Sequence, residues 1–267
     1  MQPFWPRRSP HFLACRRAVR PFDGPAVIGL SGGPDSLALA AAAAAEGKDV
    51  TCVVVDHGLQ DGSAGVAERA AGAARGFGLA AEVVRVEVGE GNVEAAARSA
   101  RYEALLAYGR DVWVAHTADD QAETLILGAL RGNPSGMAPR AGRVVRPFLG
   151  VRRADTVGAC EELGLTPWHD PMNADPAFRR VAVRTQVVPL LSKLLGGDAV
   201  PALAATAGRI AADHALIASL ADLSPTTSCE ELARDAGPVR RRRLAAWLVG
   251  EGVPVQGDQL DAVEALV

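Results

Sequence analysis

The sequence predicts an α/β fold, a doubly wound parallel sheet, with a smaller all-α domain at its C-terminal end. From residue 25 onward, short apolar runs alternate with longer helical patterns, which is typical of a parallel sheet covered by helices on both faces. Near residue 190 the pattern changes to alanine- and leucine-rich helical segments alone. We therefore expect an N-terminal extension at 1–24, the α/β domain at 25–195 and the helical domain at 196–267.

The individual elements follow in the order that such a sheet requires. Residues 1–24 carry mixed charge and little periodicity, so no regular element is predicted there. Strands are predicted at 26–30, 50–56, 81–88, 111–117 and 143–149. Helices are predicted between them at 36–46, 66–78, 92–109 (with Asn92 as its N-cap) and 119–132, and later at 202–223 and around 240–248. The chain stops inside a capped, apolar helix pattern, which predicts that a further C-terminal piece belongs to it.

Composition and charge narrow the class of protein. With 267 residues, 49% of them hydrophobic, the chain can bury a substantial core. Its formal charge of −3 excludes a uniformly basic coat for nucleic acid. Arginines nevertheless concentrate locally, at 16–20, 143–153, 178–184 and 240–243, so a basic patch remains compatible with the composition.

The cysteines and the apolar segments exclude other classes. Cys15, Cys52, Cys160 and Cys229 are far apart and form no CxxC pair, which argues against a zinc ribbon, an iron–sulfur site or a disulfide scaffold. No signal-peptide segment and no run of about 18 uncharged apolar residues occurs. We expect a cytoplasmic protein without membrane association, and the sequence leaves its oligomeric state open, a homodimer included.

A glycine-rich turn, SGGPDS at residues 31–36, joins the first predicted strand to the first predicted helix. Gly32 and Gly33 allow the backbone to approach a ligand closely. Ser31 and Ser36 add hydroxyl groups, and the helix that follows directs its free N–H groups at the turn, so the segment predicts an anion site. It matches neither the P-loop pattern GxxxxGK[ST] nor the dinucleotide-binding pattern GxGxxG.

Polar residues follow two later strands, at the sheet edge where open α/β sheets bind ligands. Asp56 and His57 end the second strand, and the segment AHTADDQAET at 115–124 follows the fourth. Thr117 and Asp120 in that segment fit a capping box. Its further polar residues, which capping does not explain, are His116, Asp119 and Glu123. Three carboxylates at a helix N-terminus predict binding of a cation or an amine.

The turn SGGPDS resembles SGGxDS, the pyrophosphate-binding loop (PP-loop) of the N-type ATP pyrophosphatases. Three further segments match the pattern of one family in that group, the tRNA(Ile)-lysidine synthases. They are VDHGLQ against VDHGLR, NVEAAAR against NxExxAR, and AHTADDQAET against HHxDDQxET. Taken alone, NVEAAAR is explained by a helix cap and an i,i+4 pair of Glu94 with Arg98.

The resemblance covers roughly residues 25–195. It continues through RPFL at 146–149, HDPMNADPAFRR at 169–180 and VRTQVVPLL at 183–191. Gln60 and Val181 depart from it, at positions where the family pattern has arginine and asparagine. The resemblance implies a Rossmann-like PP-loop sheet.

The resemblance also implies a ligase reaction. ATP would activate C2 of the wobble cytidine of the minor isoleucine tRNA (CAU anticodon) as an adenylate, and free lysine would displace AMP through its ε-amine to give lysidine. The implied ATP-binding residues are Ser31, Gly32, Gly33, Pro34, Asp35, Ser36, Asp56 and His57, with Mg²⁺ at Asp35. The implied catalytic residues are Asp35, Asp120, Glu123, Arg180 and Arg184, and the implied substrate-binding residues near the catalytic site are His116, Asp119 and Asp120. Arg240 and Arg241 are expected to contact tRNA, because a tRNA enzyme needs a basic surface away from its cleft, although a run of charges is also typical of a solvated helix face.

Two other functions are considered. A tRNA thiolase of the same fold would adenylate a similar base oxygen but would need a reactive or cluster-binding cysteine, and only Cys52 lies near the predicted site, within a strand. A non-catalytic nucleotide-binding module would not need the acidic residues of 115–124. The thiolase is disfavoured on the ground of the cysteines, whereas the module is the rival from another class, and mutation of Asp120 should leave the module's ligand binding intact.

Overall fold

The computed structural model of the chain describes residues 5–6, 8–59, 62–87, 89, 93–170, 175–253, 255 and 257–267. Its strands are β1 (Ala26–Gly29), β2 (Val50–Asp56), β3 (Ala80–Arg85), β4 (Asp111–Trp113), β5 (Arg140–Ala141) and β6 (Val144–Val145). Its helices are α1 (Pro10–Val19), α2 (Pro34–Ala45), α3 (Ser63–Gly76), α4 (Val93–Leu106), α5 (Ala118–Ala129), α6 (Arg153–Glu162), α7 (Arg179–Ala182), α8 (Val188–Leu195), α9 (Val200–Leu220), α10 (Cys229–Arg234), α11 (Gly237–Gly250) and α12 (Gly257–Glu264). A π-helical segment, Val183–Val187, joins α7 to α8.

The six strands form one sheet in the order β3-β2-β1-β4-β6-β5. Neighbouring strands are parallel from β3 to β6, and only β5 runs antiparallel, beside β6. Because β1 lies between β2 and β4, the chain reverses its direction of travel across the sheet at β1. The carboxyl ends of β1 and β4 therefore border the crevice in which sheets of this kind bind ligands.

Two apolar layers cover the sheet. Ile28 of β1 packs in a core formed with residues of α1, α2, α3 and α6, whereas its neighbour Val27 packs in a second core with Leu105 of α4. Alternate residues of one strand point to opposite faces, so these two cores lie on opposite sides of the sheet. The predicted doubly wound parallel sheet is confirmed.

The structure corrects two boundaries at the β4 edge. The fourth strand was expected to continue to residue 117 but ends at Trp113, where its neighbour β6 is only two residues long. The strand expected at 143–149 is reduced to β6, because Pro147 cannot donate to a ladder and Phe148 O accepts a bond from Val151 N in a turn. The predicted cap Asn92 lies outside the described residues.

Helix α1 is an element that the sequence analysis did not predict. Phe12, Cys15 and Val19 form one buried face of this helix, at the spacing of an amphipathic helix, and they pack against α2 and α6. The Glu162 carboxylate accepts hydrogen bonds from the backbone N–H groups of His11 (3.3 Å) and Phe12 (2.8 Å). A carboxylate from α6 therefore caps α1 and ties it to the sheet domain.

The chain divides into two compact units. One comprises residues 1–120 and 139–178, and the other comprises residues 121–138 and 179–267. The second unit is helical, with a core formed by leucines of α10, α11 and α12. In the part of the chain that the structure describes, no single helix is long and apolar enough to cross a membrane; only the bent pair of Arg179–Leu195 with Val200–Leu220 reaches that length and composition.

Candidate active site

The glycine turn between β1 and α2 is held by its own serines. Ser36 Oγ accepts a hydrogen bond from the Ser31 N–H (3.1 Å), lies 3.1 Å from Ser31 Oγ and donates to the Gly33 carbonyl (3.1 Å). Gly32 has a φ of 82°, and a Cβ there would lie 3.2 Å from the Cβ of Ala70. A side chain at this position would be strained and crowded, so the turn requires glycine.

The turn presents a helix N-terminus to the crevice. Gly33 is the N-cap of α2 and Pro34 its first residue, and no described side chain caps the helix. Pro34 has no backbone N–H, so the free N–H groups at the start of α2 belong to the residues after it. These groups suit the binding of an anion. The arrangement fits a pyrophosphate group.

Asp35 is fixed by two residues of the α6 segment. Thr156 Oγ1 donates to Asp35 Oδ1, and Arg153 Nε lies 3.8 Å from Asp35 Oδ2. The Asp35 side chain remains 26% exposed, so one carboxylate at the start of α2 stays accessible. No group of three or more His, Cys, Asp or Glu within the described residues could hold a metal ion. A magnesium ion here would rest on Asp35 and on phosphate oxygens, a common way for proteins to bind it.

Arg153 also reaches the start of α5. Its NH2 nitrogen donates to Asp120 Oδ1 at 2.8 Å, so a single guanidinium lies between Asp35 and Asp120. The other Asp120 oxygen accepts bonds from Thr117 N (2.7 Å) and Thr117 Oγ1 (2.8 Å), which confirms the predicted capping box. Burial raises the pKa of Asp120, but Arg153 and the Thr117 backbone outweigh it and hold the pKa below its usual value.

Asp119 serves to anchor the α6 segment. Its carboxylate accepts hydrogen bonds from Arg152 Nε (3.1 Å), Arg152 NH2 (3.2 Å) and the Arg153 backbone N–H (2.8 Å). Burial opposes ionisation, yet these donors keep the pKa of Asp119 below its usual value. The residue therefore positions Arg153 for its contacts with the two neighbouring acids.

Two histidines at strand ends keep a buried nitrogen without a partner. The Nδ1 atoms of His57, after β2, and His116, after β4, make no hydrogen bond with any described residue. Burial lowers the pKa of His116 to about 4, and burial together with Arg101 lowers the pKa of His57. The neighbouring Asp56, in contrast, has a hydrogen-bond partner: the Gly58 backbone N–H donates to its Oδ1 at 3.0 Å and lowers the pKa of the carboxyl group.

The His116 environment leads to a pH prediction for stability. The unfolded imidazole gains a proton near pH 6.5, whereas the folded one remains neutral down to about pH 4, so acid favours the unfolded chain between these values. We expect His116 to make the free energy of unfolding fall by about 2–3 kcal/mol over that range. Urea unfolding of the wild type and His116→Gln at several pH values measures it. Equal pH slopes for both proteins would contradict the assignment.

The helical unit holds a second ionic cluster. Glu123, only 1% exposed, accepts hydrogen bonds from Arg184 Nε (2.8 Å) and Arg184 NH2 (3.3 Å), and Arg180 NH1 lies 3.8 Å from it. Arg184 lies in the π-helical segment, a distortion that is frequent at functional sites. The structure thus brings together Glu123, Arg180 and Arg184, all named from the sequence.

Two residues depart from the family pattern. Val181 is buried in α7, and Gln60 lies outside the described residues.

Arg240 and Arg241 are engaged within the helical unit. Arg240 Nε lies 3.2 Å from Glu264, and Arg241 pairs with both Asp261 and Glu264 of α12. These ion pairs attach α11 to α12. Binding of a phosphate to either arginine would require an exchange of partners.

Sequence reasoning missed Arg153 and Thr156. The segment 143–153 is rich in arginine, but nothing in its local pattern indicates which carboxylate Arg153 meets. Both residues face Asp35 because α6 packs beside α2 in the folded sheet. A contact between residues more than a hundred positions apart has no signal in helix or strand periodicity.

Comparisons with known proteins match most of the chain. A family model described as a PP-loop domain matches residues 17–191. The tRNA(Ile)-lysidine synthase of Corynebacterium glutamicum is 51% identical over 276 residues, covering 98% of this chain and 87% of the relative. That of Corynebacterium diphtheriae is 54% identical over 269 residues, covering 100% and 91%.

One solved structure shares the fold. The U34-tRNA thiolase NcsA from Methanococcus maripaludis, solved with its [4Fe-4S] cluster, matches with a TM-score of 0.60 over 74% of this chain and 77% of that one. Its sequence is 16% identical, so the likeness concerns the fold alone.

Proposed function

Since the chain belongs to the tRNA(Ile)-lysidine synthase family, we propose that it joins free lysine to C2 of the wobble cytidine in the minor isoleucine tRNA with a CAU anticodon. The products are lysidine, AMP and pyrophosphate. The observation that carries the proposal is the uncapped glycine turn before α2 with Asp35 beside it, a site for the pyrophosphate that ATP loses. The chain is a ligase that uses ATP in tRNA modification.

The first step is adenylation of the cytidine. Its O2 attacks the α-phosphate, and the bond between the α- and β-phosphates breaks. Ser31, Gly32, Gly33 and Ser36 bind the departing pyrophosphate through hydroxyl and backbone N–H groups, and we place the adenosine portion near Asp56 and His57 at the end of β2. A magnesium ion, when bound, supplies positive charge between the phosphates and Asp35. Arg153 and Thr156 orient that carboxylate.

The second step is attack by the lysine ε-amine on C2. The amine bonds to C2, the C2–O bond breaks, and AMP leaves with that oxygen. Only the neutral amine is nucleophilic, so a proton must pass to a carboxylate. We assign binding or deprotonation of the amine to Asp120 and Glu123, with His116 and Asp119 supporting the bound substrate. Arg180 and Arg184 stabilise negative charge on the departing phosphate.

The helical region supplies the remaining contacts. We propose that residues 196–267 bind tRNA and that Arg240 and Arg241 contact its phosphates, exchanging their partners on α12. We propose that the protein is cytoplasmic, because its proposed substrates, ATP, lysine and tRNA, are found in the cytoplasm.

A thiolase activity is not favoured by the cysteines. Cys15, Cys52 and Cys160 are buried, and burial raises the pKa of Cys52 and of Cys160 to about 12. Thiols of this kind are unreactive near neutral pH. Cys229 is exposed but belongs to α10, in the helical region.

The decisive experiment combines the full chain with ATP, Mg²⁺, L-lysine and the minor tRNA(Ile). We expect AMP and pyrophosphate in equal amounts, and a tRNA whose mass rises by one lysine less one water. Omission of lysine or tRNA should prevent the mass gain, and a tRNA with the wobble cytidine replaced by uridine is the matched control. ADP formation that needs neither lysine nor tRNA would contradict the proposal.

A further inference from the structure

Three successive carbonyl groups of the glycine turn are engaged by the protein itself. The Gly32 carbonyl accepts a hydrogen bond from the Trp168 backbone N–H (2.9 Å). The Gly33 carbonyl is bonded within the turn, and the Pro34 carbonyl accepts a bond from Cys160 Sγ (3.4 Å). A turn that binds an anion must present N–H groups to it and keep its carbonyl oxygens away, because those oxygens repel negative charge. The partners of these carbonyls therefore bear on how the turn binds phosphate.

The bond from Trp168 determines which way the peptide between Gly32 and Gly33 faces. In a planar trans peptide the C=O and N–H groups point in opposite directions, so holding the Gly32 carbonyl also orients the Gly33 N–H. This N–H makes a long contact of 3.4 Å with Ser31 Oγ. A charged phosphate oxygen forms a shorter and stronger bond with such a donor, so the Gly33 N–H is available to an anion.

The two glycines also permit the opposite orientation of this peptide. Gly32 has a φ of 82° and Gly33 a φ of −74°. A flip of the peptide between them would give residue 33 a positive φ, as in the change from a type I to a type II turn, and glycine adopts both signs of φ readily. The flipped peptide would present the Gly32 carbonyl to the phosphate. The orientation that suits an anion therefore depends on a donor outside the turn.

The segment that leads to Trp168 is held independently of the turn. Leu163 and Leu165 pack against the apolar core that contains residues of α2. The Leu165 N–H donates to the Cys160 carbonyl at 2.9 Å, and Gly164, with a φ of 64°, allows the chain to turn after α6. Trp168 follows three residues later and is half-buried. Its N–H is therefore positioned by α6 and the core.

We propose that Trp168 is a positioning residue for pyrophosphate: its backbone N–H holds the Gly32 carbonyl away from the leaving group and directs the Gly33 N–H towards it. The inference rests on the proposed function, because it assumes that the glycine turn binds the pyrophosphate of ATP. The donor is a backbone group, so the role does not depend on the indole.

An ester in place of the Trp168 amide tests the proposal, because the α-hydroxy analogue of tryptophan keeps the indole and removes only the N–H. We expect the Kd for pyrophosphate with Mg²⁺, measured by calorimetry without tRNA, to rise about 10-fold, the loss of one charge-assisted hydrogen bond. The Kd for AMP should stay unchanged, because AMP lacks the pyrophosphate portion. Equal losses for pyrophosphate and AMP would indicate a general loosening of the fold and would overturn the proposal.

Two further variants separate the N–H from other effects. Trp168→Ala keeps the N–H and should bind pyrophosphate as the wild type does, whereas a loss as large as that of the ester would assign the effect to the indole and overturn the proposal. The same ester at Trp247 is the matched control, since it also removes one backbone hydrogen bond but inside α11, in the helical unit. An equal loss of pyrophosphate affinity there would contradict the assignment to Trp168.

Gly33→Ala tests the peptide flip itself. A Cβ at residue 33 would make ordinary contacts, 3.6 Å from Ser31 Oγ and 3.9 Å from the Trp168 carbonyl oxygen, and a φ of −74° accommodates alanine. The flipped peptide would instead force alanine to a positive φ, so the Trp168 ester should weaken pyrophosphate binding less in Gly33→Ala than in the wild type. An equal effect in both backgrounds would overturn the proposal.

The same measurements distinguish a failure of the inference from a failure of the proposed function. A wild-type protein that binds neither ATP nor pyrophosphate would contradict the proposed function. Wild-type affinity for pyrophosphate in the Trp168 ester would overturn only the role given to Trp168.

Discussion

Replacing Asp35 with asparagine will lower pyrophosphate release by at least about 100-fold, because the variant loses the carboxylate that would hold a magnesium ion beside the bound phosphates. The asparagine carbonyl can still accept the hydrogen bond from Thr156, so the local fold should survive. The substitution therefore removes the charge of the side chain and keeps its shape. The measurement is tRNA-dependent pyrophosphate release at saturating ATP, lysine and magnesium, with tRNA binding measured in parallel.

Asp23→Asn is the matched control for Asp35→Asn. The Asp23 side chain is 88% exposed and pairs with Lys48 at 2.9 Å, away from the glycine turn. We expect unchanged pyrophosphate release from this variant. Wild-type rates in Asp35→Asn would remove the carboxylate from the adenylation step, whereas a simultaneous loss of tRNA binding and of the folded state would mark its role as structural.

Glu123→Gln should cost about 2–4 kcal/mol in the free energy of unfolding and should also abolish transfer of lysine. The carboxylate is 1% exposed, so its removal leaves the Arg184 guanidinium without its hydrogen-bonded counterion. Arg184 itself is 31% exposed, which keeps the expected loss below that of a fully buried pair. Urea unfolding monitored by circular dichroism measures the change.

A double-mutant cycle separates the ion pair from other effects of the substitution. Glu123→Gln combined with Arg184→Met removes both charges, and we expect it to be more stable than Glu123→Gln alone. Glu68→Gln is the control, because Glu68 and Arg75 form an exposed pair worth less than about 1 kcal/mol. Equal losses for Glu68→Gln and Glu123→Gln would show that burial of the Glu123 pair contributes nothing.

Much of the fold follows from local pattern. The alternation of apolar runs and helices predicted the parallel sheet, and β2 was predicted to its last residue, since a run such as VTCVVVD has one interpretation in a covered sheet. Helix α1 was missed because its charged residues and prolines hid the spacing of Phe12, Cys15 and Val19. What holds that helix is the distant carboxylate of Glu162, which no local window contains.

The sequence by itself determined the class of chemistry: a glycine turn at a strand end, with Asp35 and the acids of 115–124 following along the sheet. These features are local, because turn geometry and helix capping depend on neighbouring residues. Only the tertiary structure decided which charges meet: it placed Arg153 between Asp35 and Asp120, and Arg184 on Glu123. Those encounters depend on helix packing across the sheet and within the helical unit, and packing joins residues that the chain keeps far apart.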